Sequence, residues 1–338
     1  MLIVGIQGTE LSKPERAWLA EPEVAGVILF ARNYLDRDQL RTLIASVRSC
    51  RKQPLLVSVD QEGGVVQRFR KGFTTLPALA VLGRLWQHDS ALARQRTEEH
   101  AWVMASELRA SDVDISFAPV LDLARGNRAI GTRALHADPE IVADLGQAYV
   151  RGMRMAGMAV TVKHFPGHGS VLEDTHVEKA CDPRPVEMLF KEDLEPFRAA
   201  LAVGAEAVMM AHVSYPAFDV LPAGYSCRWI GEVLRGQLGF TGAVISDDVG
   251  MDAAAQVGGV AARIQQHEQA GCNLLLVCSP ALVDEALQSL RGRVASPRDW
   301  VSELQGGVAS TWEELIDNPQ YKRFVERLGE LDHYKEPK

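Results

Sequence analysis

Residues 158–169 read Met158-Ala159-Val160-Thr161-Val162-Lys163-His164-Phe165-Pro166-Gly167-His168-Gly169. This stretch joins a strand pattern to a group of charged and imidazole side chains. Its first five residues are mostly apolar at consecutive positions, which is typical of a strand buried on both faces of a parallel sheet. The lysine and histidines that follow are costly to bury unless they are paired or hydrated. The stretch therefore predicts a parallel strand that leads into a polar functional loop.

Eight such apolar runs recur and predict the sheet. They lie at 2–6, 26–30, 55–59, 115–120, 159–162, 207–210, 243–245 and 274–277. Helical patterns separate them, and Asp36 is the predicted N-cap of a helix that buries Leu40, Leu43, Ile44 and Val47. Further helices are predicted at 90–110, 138–157, 185–203, 229–237, 257–270 and 280–291. Eight strand-helix units indicate the α/β class and a single (β/α)8 TIM-type barrel, with a doubly wound open sheet as the alternative.

After residue 293 the pattern becomes polar and helical, so we predict two parts. Residues 1–293 form the catalytic barrel, and residues 294–338 form a C-terminal helical extension packed on it.

Composition limits the classes of function. The net charge of −8 and pI near 5.7 argue against a nucleic-acid partner, and no apolar run approaches the roughly 18 residues of a membrane helix. The five cysteines form no Cys-x-x-Cys pair, which favours reduced thiols. Because the N-terminus resembles a first strand and not a secretory signal, we expect a cytoplasmic protein.

Polar residues follow several of the apolar runs. Asp60, Lys163 with His164, His212 and Asp247 each come just after one of them. The C-terminal ends of barrel strands meet at one rim, where active sites of this architecture are built. We therefore expect these side chains to converge there.

The histidine-rich segment allows two interpretations. His164 and His168 have the spacing of a helical zinc pair, which Asp174 and His176 could complete, but Pro166 and the glycines beside it forbid a helix. We therefore predict no metal. The second interpretation is an acid/base pair in which Asp174 orients His176. On spacing alone, two unrelated polar residues of a surface loop are the commoner case.

Two further segments carry candidate ligands. In Ser246-Asp247-Asp248, one carboxylate can be a nucleophile, a metal ligand or a helix cap, and spacing does not choose between the two aspartates. Asp60 and Arg68, which flank Gly63-Gly64, can hold vicinal hydroxyls of a ligand through charged hydrogen bonds. Arg133 can supply a second arginine or pair with a surface acid.

At these residues the chain resembles the β-N-acetylhexosaminidases of glycoside hydrolase family 3, especially its bacterial NagZ-type branch. The matching motifs are Asp60-Gln61-Glu62-Gly63-Gly64 through Arg68, Phe117-Ala118-Pro119-Val120-Leu121-Asp122, Ile130-Gly131-x-Arg133, 163–169, Asp174-x-His176 and Ser246-Asp247-Asp248. They occur in family order over most of residues 1–280. Together they are far more specific than any one of them.

The resemblance implies a retaining glycosidase without a cofactor. It implies removal of terminal β-linked N-acetylglucosamine, with anhydro-N-acetylmuramic acid muropeptides of cytoplasmic peptidoglycan recycling as the glycan substrate. Asp247 would be the nucleophile, and His176, assisted by Asp174, the acid/base. The sugar ligands would be Asp60, Arg68, Arg133, Lys163 and His164. Rival functions are a metal-dependent hydrolase, a non-catalytic sugar-binding barrel and a Schiff-base barrel that uses Lys163.

Overall fold

The computed structural model describes residues 1–173, 179–251, 258–292 and 298–334. Eight parallel strands close into a barrel in which β1 pairs with both β2 and β8. The strands are β1 Leu2–Gly5, β2 Val24–Leu29, β3 Leu56–Val59, β4 Ile115–Ser116, β5 Ala159–Phe165, β6 Ala207–Met210, β7 Ala243–Asp248 and β8 Leu274–Val277. The predicted TIM-type barrel is therefore confirmed, and the open sheet is wrong.

Two strands extend beyond their apolar runs and carry functional groups with them. Strand β5 continues through Lys163 and His164 because Phe165 still pairs with Met210 of β6. Strand β7 continues to Asp248, which pairs with Leu276 of β8 across a register shift. These polar residues therefore lie on rigid strand ends and not in the loops that follow. Strand β4 is shorter than its run and ends before Pro119, which cannot donate a ladder hydrogen bond.

The helices surround the barrel and have ordinary caps. Asp36 accepts a hydrogen bond from the Gln39 backbone at 3.0 Å, so the predicted N-cap is confirmed. Asp138 caps the helix Pro139–Met155 in the same way, accepting from the Glu140 backbone at 2.9 Å. The helices are Lys13–Ala20, Arg37–Arg48, Leu79–His88, Ser90–Arg109, Pro139–Met155, Val186–Met188, Leu194–Ala202, Val260–Ala270, Val283–Leu290, Trp300–Leu304, Trp312–Asp317 and Pro319–Gly329. Wider π turns form Leu189–Asp193 and Arg228–Gln237, and 3-10 turns form Ala31–Asn33, Gly131–Arg133, Ala223–Tyr225, Pro280–Leu282 and Glu330–Tyr334.

Two of these helices, Lys13–Ala20 and Leu79–His88, have no counterpart among the segments predicted from periodicity. The first begins with a capping box between Ser12 and Glu15, a signal that the sequence carries in Ser-x-x-Glu. Small sheets accompany the loops at the rim: Gln61–Gly63 pairs with Val66–Gln67, and Val213–Tyr215 pairs with Asp219–Pro222 and Ala180–Cys181.

The first helix of the C-terminal extension, Trp300–Leu304, covers the end of the barrel opposite the strand C-termini. Trp300 and Leu304 belong to the same buried cluster as Ala159 and Ala243, the first residues of β5 and β7. Farther along, the Phe324 ring packs edge-on at 5.3 Å from Trp102. The predicted domain boundary at 293 and 294 lies outside the described residues and stays a prediction.

Among the described helices, none combines the length and apolar character needed to cross a bilayer.

Candidate active site

A cavity of about 330 Å³ opens at the C-terminal mouth of the barrel. Six of the eight predicted site residues line it: Asp60, Arg68, Arg133, Lys163, His164 and Asp247. They come from three strand ends and two connecting segments, so the fold brings together side chains that are far apart in sequence. The other two, Asp174 and His176, lie outside the described residues.

A buried network of charges forms one wall of the cavity. The Lys163 Nζ atom lies 2.8 Å from Asp60 Oδ1 and 2.6 Å from Glu62 Oε1. Arg133 donates to both oxygens of the same Glu62 carboxylate, at 2.8 and 2.9 Å. Arg68 completes the group from the outside, 3.9 Å from Asp60. Two acids therefore hold three cations in place where a hydroxylated ligand would contact them.

The network determines the charges of its members. Burial alone would raise the pKa of Glu62, but Arg133 and Lys163 outweigh it and hold that pKa well below its usual range. Burial would lower the pKa of Lys163, but Asp60 and Glu62 raise it above its ordinary value. Because a Schiff base needs a neutral amine, this environment argues against the Schiff-base barrel.

A second chain of contacts leads to the predicted nucleophile. Asp122 is fully buried and lies 2.7 Å from Nδ1 of His164. Its carboxylate also accepts the His168 backbone N–H at 2.6 Å, and these contacts lower its pKa although burial opposes this. Because Nδ1 donates to Asp122, the Nε2 atom of His164 faces Asp247, whose Oδ2 lies 4.0 Å away. The contact with Asp122 thus orients the His164 imidazole so that Nε2 faces the cavity.

The two adjacent aspartates have different environments. The Asp247 side chain is 19% exposed at the cavity, and its Oδ1 accepts the backbone N–H of Asp248 at 2.8 Å. Asp248 Oδ1 accepts the backbone N–H groups of Gly250 at 3.0 Å and Cys278 at 2.9 Å. The carboxylate thereby ties the end of β7 to the end of β8. Because residues 252–257 lie outside the described residues, a role of Asp248 as a helix cap stays a prediction.

The other histidines of the predicted cluster do not form a metal site in the described part of the chain. His168 is buried, and burial lowers its pKa to about 4. Its ring lies edge-on to that of His164 with centroids 6.0 Å apart, while His164 is committed to Asp122. No group of three metal-ligating side chains occurs among the residues that the structure describes.

Three contributors to the site were not assigned roles from sequence. Glu62 and Asp122 stand in the quoted motifs but look like ordinary polar residues there. His212, noted only for its position after a strand, points Nε2 at the Asp248 carbonyl from 3.1 Å. Their sequence positions beside predicted strand ends were the signal that could have identified them. An acid buried there must have a charged or hydrogen-bond-donating partner, so Glu62 and Asp122 could have been expected to hold other site residues.

A family model described as the N-terminal domain of glycosyl hydrolase family 3 matches residues 2–303. A β-hexosaminidase of Stenotrophomonas maltophilia strain K279a is 53% identical over 333 residues, which cover 97% of this chain and 99% of that protein. A β-hexosaminidase of Xylella fastidiosa strain 9a5c is 52% identical with the same coverage.

The structure is also similar to that of NagZ from Neisseria gonorrhoeae, solved in complex with N-trifluoroacetyl-D-glucosamine. The two superpose with a TM-score of 0.90 at 37% identity, covering 98% of this chain and 97% of that one. The likeness therefore extends over the barrel and the C-terminal extension alike.

Proposed function

This chain belongs to glycoside hydrolase family 3, as its motifs predict, and we propose that it is a retaining exo-β-N-acetylglucosaminidase. It is a glycosidase with β-hexosaminidase relatives over nearly its whole length. The proposal specifies that it removes a terminal β-linked N-acetylglucosamine. The observation that carries it is the convergence of Asp247 with Asp60, Lys163, Arg133 and a buried imidazole around one cavity.

Asp247 is the proposed nucleophile. Its Oδ2 atom lies 4.0 Å from Nε2 of the oriented His164 ring. Oδ1 of Asp248, by contrast, accepts hydrogen bonds from two backbone N–H groups. Attack by Asp247 on the anomeric carbon would release the aglycone and form a covalent glycosyl-enzyme. Water would then open that ester with net retention.

His176 is the proposed acid/base, and Asp174 is its orienting carboxylate. Retaining glycosidases usually pair two carboxyl groups, but an imidazole near its ordinary pKa can donate to the leaving oxygen and later deprotonate water. Both residues follow Glu173, where the described segment ends. Their roles rest on the family motif and not on a contact seen in the structure.

The sugar hydroxyls are the proposed ligands of Asp60, Arg68, Arg133, Lys163 and His164. The structure supports this because all five line the cavity. Glu62 holds Lys163 and Arg133 in place, Asp122 orients His164, and Asp60 pairs with Lys163 and Arg68. Preorganised charged donors bind a hydroxylated ring without the cost of ordering them first. No step requires a metal or an organic cofactor.

The proposed natural substrate is N-acetylglucosaminyl anhydro-muropeptide, the glycan of cytoplasmic peptidoglycan recycling. The resemblance to the NagZ-type branch supports this substrate and this compartment.

The proposed activity is tested with two aryl β-glycosides that differ only in the 2-substituent. The N-acetylglucosaminide should be hydrolysed with retained anomeric configuration, and the matching glucoside should be a poor substrate. A slow fluorinated N-acetylglucosaminide should label Asp247 by one sugar mass, and Asp247→Asn should abolish both label and turnover. Label on Asp248, or an inverted product, would overturn the mechanism.

A further inference from the structure

Asn127 connects two segments of the barrel mouth through a fully used side-chain amide. It is 3% exposed and lies between β4 and the helix Pro139–Met155. Its Nδ2 atom donates to the carbonyl oxygens of Val171 at 2.7 Å and Glu173 at 3.0 Å. Its Oδ1 atom accepts the backbone N–H groups of Ala129 at 2.8 Å and Ile130 at 2.9 Å. Both donors and the acceptor of the amide are thereby satisfied.

Each of the joined segments leads directly to a proposed functional group. On the Oδ1 side, the chain turns at Ala129, whose carbonyl accepts from Nη1 of Arg133 at 3.0 Å. On the Nδ2 side, Glu173 is the residue immediately before Asp174. One buried amide therefore links the sugar-binding arginine to the start of the Asp174-x-His176 motif.

The backbone adds one weaker link between the same segments. The Arg128 N–H donates to the Leu172 carbonyl at 3.4 Å. This is longer than an ordinary N–H···O hydrogen bond, so the two shorter bonds from Asn127 dominate the attachment. Residues 171–173 are thus held to the arginine segment chiefly by a single side chain.

We propose that Asn127 is a positioning residue for the acid/base pair, acting through the backbone of residues 171–173. This inference rests on the proposed roles of Asp174 and His176. A misplacement of a catalytic group by about 1 Å can slow a reaction by a factor on the order of a hundred. The two bonds donated by Asn127 are therefore expected to control proton donation to the leaving group more than binding of the sugar.

The Asn127→Asp substitution removes the hydrogen-bond donors of the side chain and keeps its acceptor. The carboxylate can still accept from Ala129 and Ile130, but in its ionised form it cannot donate to Val171 or Glu173. The segment that carries Arg133 should be retained, while residues 171–173 lose their attachment.

The matched control is Asn33→Asp. Asn33 is also buried at this end of the barrel, and its Nδ2 donates to the carbonyls of Ile6 at 3.0 Å and Gly8 at 2.8 Å. Its Oδ1 accepts the Phe30 N–H at 2.9 Å. The same substitution there costs the same kinds of hydrogen bond without touching residues 171–173.

The experiment compares kcat/KM for two aryl N-acetyl-β-glucosaminides, one with a dinitrophenyl and one with a phenyl leaving group. General acid catalysis contributes roughly 10²–10⁴-fold where the leaving group needs a proton. We expect Asn127→Asp to lose at least about tenfold on the phenyl substrate but less than about threefold on the dinitrophenyl substrate. Inhibition by N-acetylglucosamine should be nearly unchanged. Asn33→Asp should lower both rates by one common factor.

Equal losses on both substrates by Asn127→Asp, or the same selective loss in Asn33→Asp, would overturn the inference. Asn127→Ser, which keeps a small acceptor, repeats the test if the aspartate variant does not fold. His176→Ala is measured in parallel. If it shows a selective loss and Asn127→Asp does not, Asn127 has no positioning role. If His176→Ala itself shows no selective loss, the proposed acid/base assignment fails and the inference fails with it.

Discussion

Replacing Glu62 with glutamine tests the charge network under the sugar-binding side chains. The Glu62 carboxylate is buried and accepts one hydrogen bond from Lys163 and two from Arg133. Glutamine has nearly the same shape but no charge, and its NH₂ group must face one of the two cations. At least one charged hydrogen bond is then replaced by a donor-donor contact in a buried site.

The expected loss of stability is large. Hydrogen bonds to charged groups contribute about 1.5–3 kcal/mol each, and removing one partner of a buried ion pair costs about 3–5 kcal/mol. We therefore expect Glu62→Gln to lower the free energy of unfolding by about 3–5 kcal/mol at neutral pH, measured by urea denaturation.

The pH dependence of that loss has a definite sign. The pKa of folded Glu62 lies well below its usual range, because Arg133 and Lys163 outweigh the effect of burial. The unfolded chain therefore takes up this proton first. The stabilisation is complete above the ordinary glutamate pKa of about 4.3 and is lost as the pH falls below it. The difference between wild type and variant should shrink in acid.

Glu99→Gln is the matched control for function. Glu99 is also a buried carboxylate held by two cations, with Arg96 at 3.0 Å and Arg327 at 2.6 Å. Neither of these arginines lines the cavity, whereas Lys163 and Arg133, the partners of Glu62, do. Both variants should be less stable, whereas only Glu62→Gln should raise KM and the inhibition constant of N-acetylglucosamine, by about tenfold or more. Stability within about 1 kcal/mol of wild type in Glu62→Gln, or an equal rise of KM in Glu99→Gln, would refute the reasoning.

Two other outcomes test the catalytic pair and the buried imidazoles. Asp174→Ala and His176→Ala should each slow turnover of substrates with poor leaving groups. Because the pair acts as a unit, the double variant should be little slower than the slower single variant. Rate losses that multiply in the double variant would contradict the pairing. Burial lowers the pKa of His100 and His168 each to about 4 from 6.5, so the unfolded chain binds protons first and the free energy of unfolding should fall between about pH 6.5 and 4. His100→Gln should flatten that fall in urea titrations, and an unchanged slope would count against the assignment.

Local pattern in the sequence determined the architecture and most of the candidate site. Runs buried on both faces and separated by helical periodicity predict parallel strands, and eight of them predict closure. Parallel strands also end at one edge, so Asp60, Lys163, His164 and Asp247 could be placed together without knowing any contact. The family motifs then gave each of them a proposed role.

The tertiary structure alone decided the partners of these groups. Glu62 and Arg133 are 71 residues apart in the chain, and Asp122 and His164 are 42 apart, so no spacing rule connects them. Each pair forms because a buried carboxylate needs a cation or hydrogen-bond donor beside it, and the assembled fold supplies one from a distant part of the chain.

The lengths of β5 and β7 and the place of the C-terminal extension also depended on the closed barrel. Strand pairing continues as long as a neighbour supplies ladder partners, which carries Lys163, His164 and Asp247 onto strands although their polarity predicts a loop. Trp300 shares a buried cluster with the first residues of β5, β6, β7 and β8, a surface that exists only after closure. Periodicity records how each segment is buried, whereas the choice of partners is settled by desolvation and charge pairing across the assembled fold.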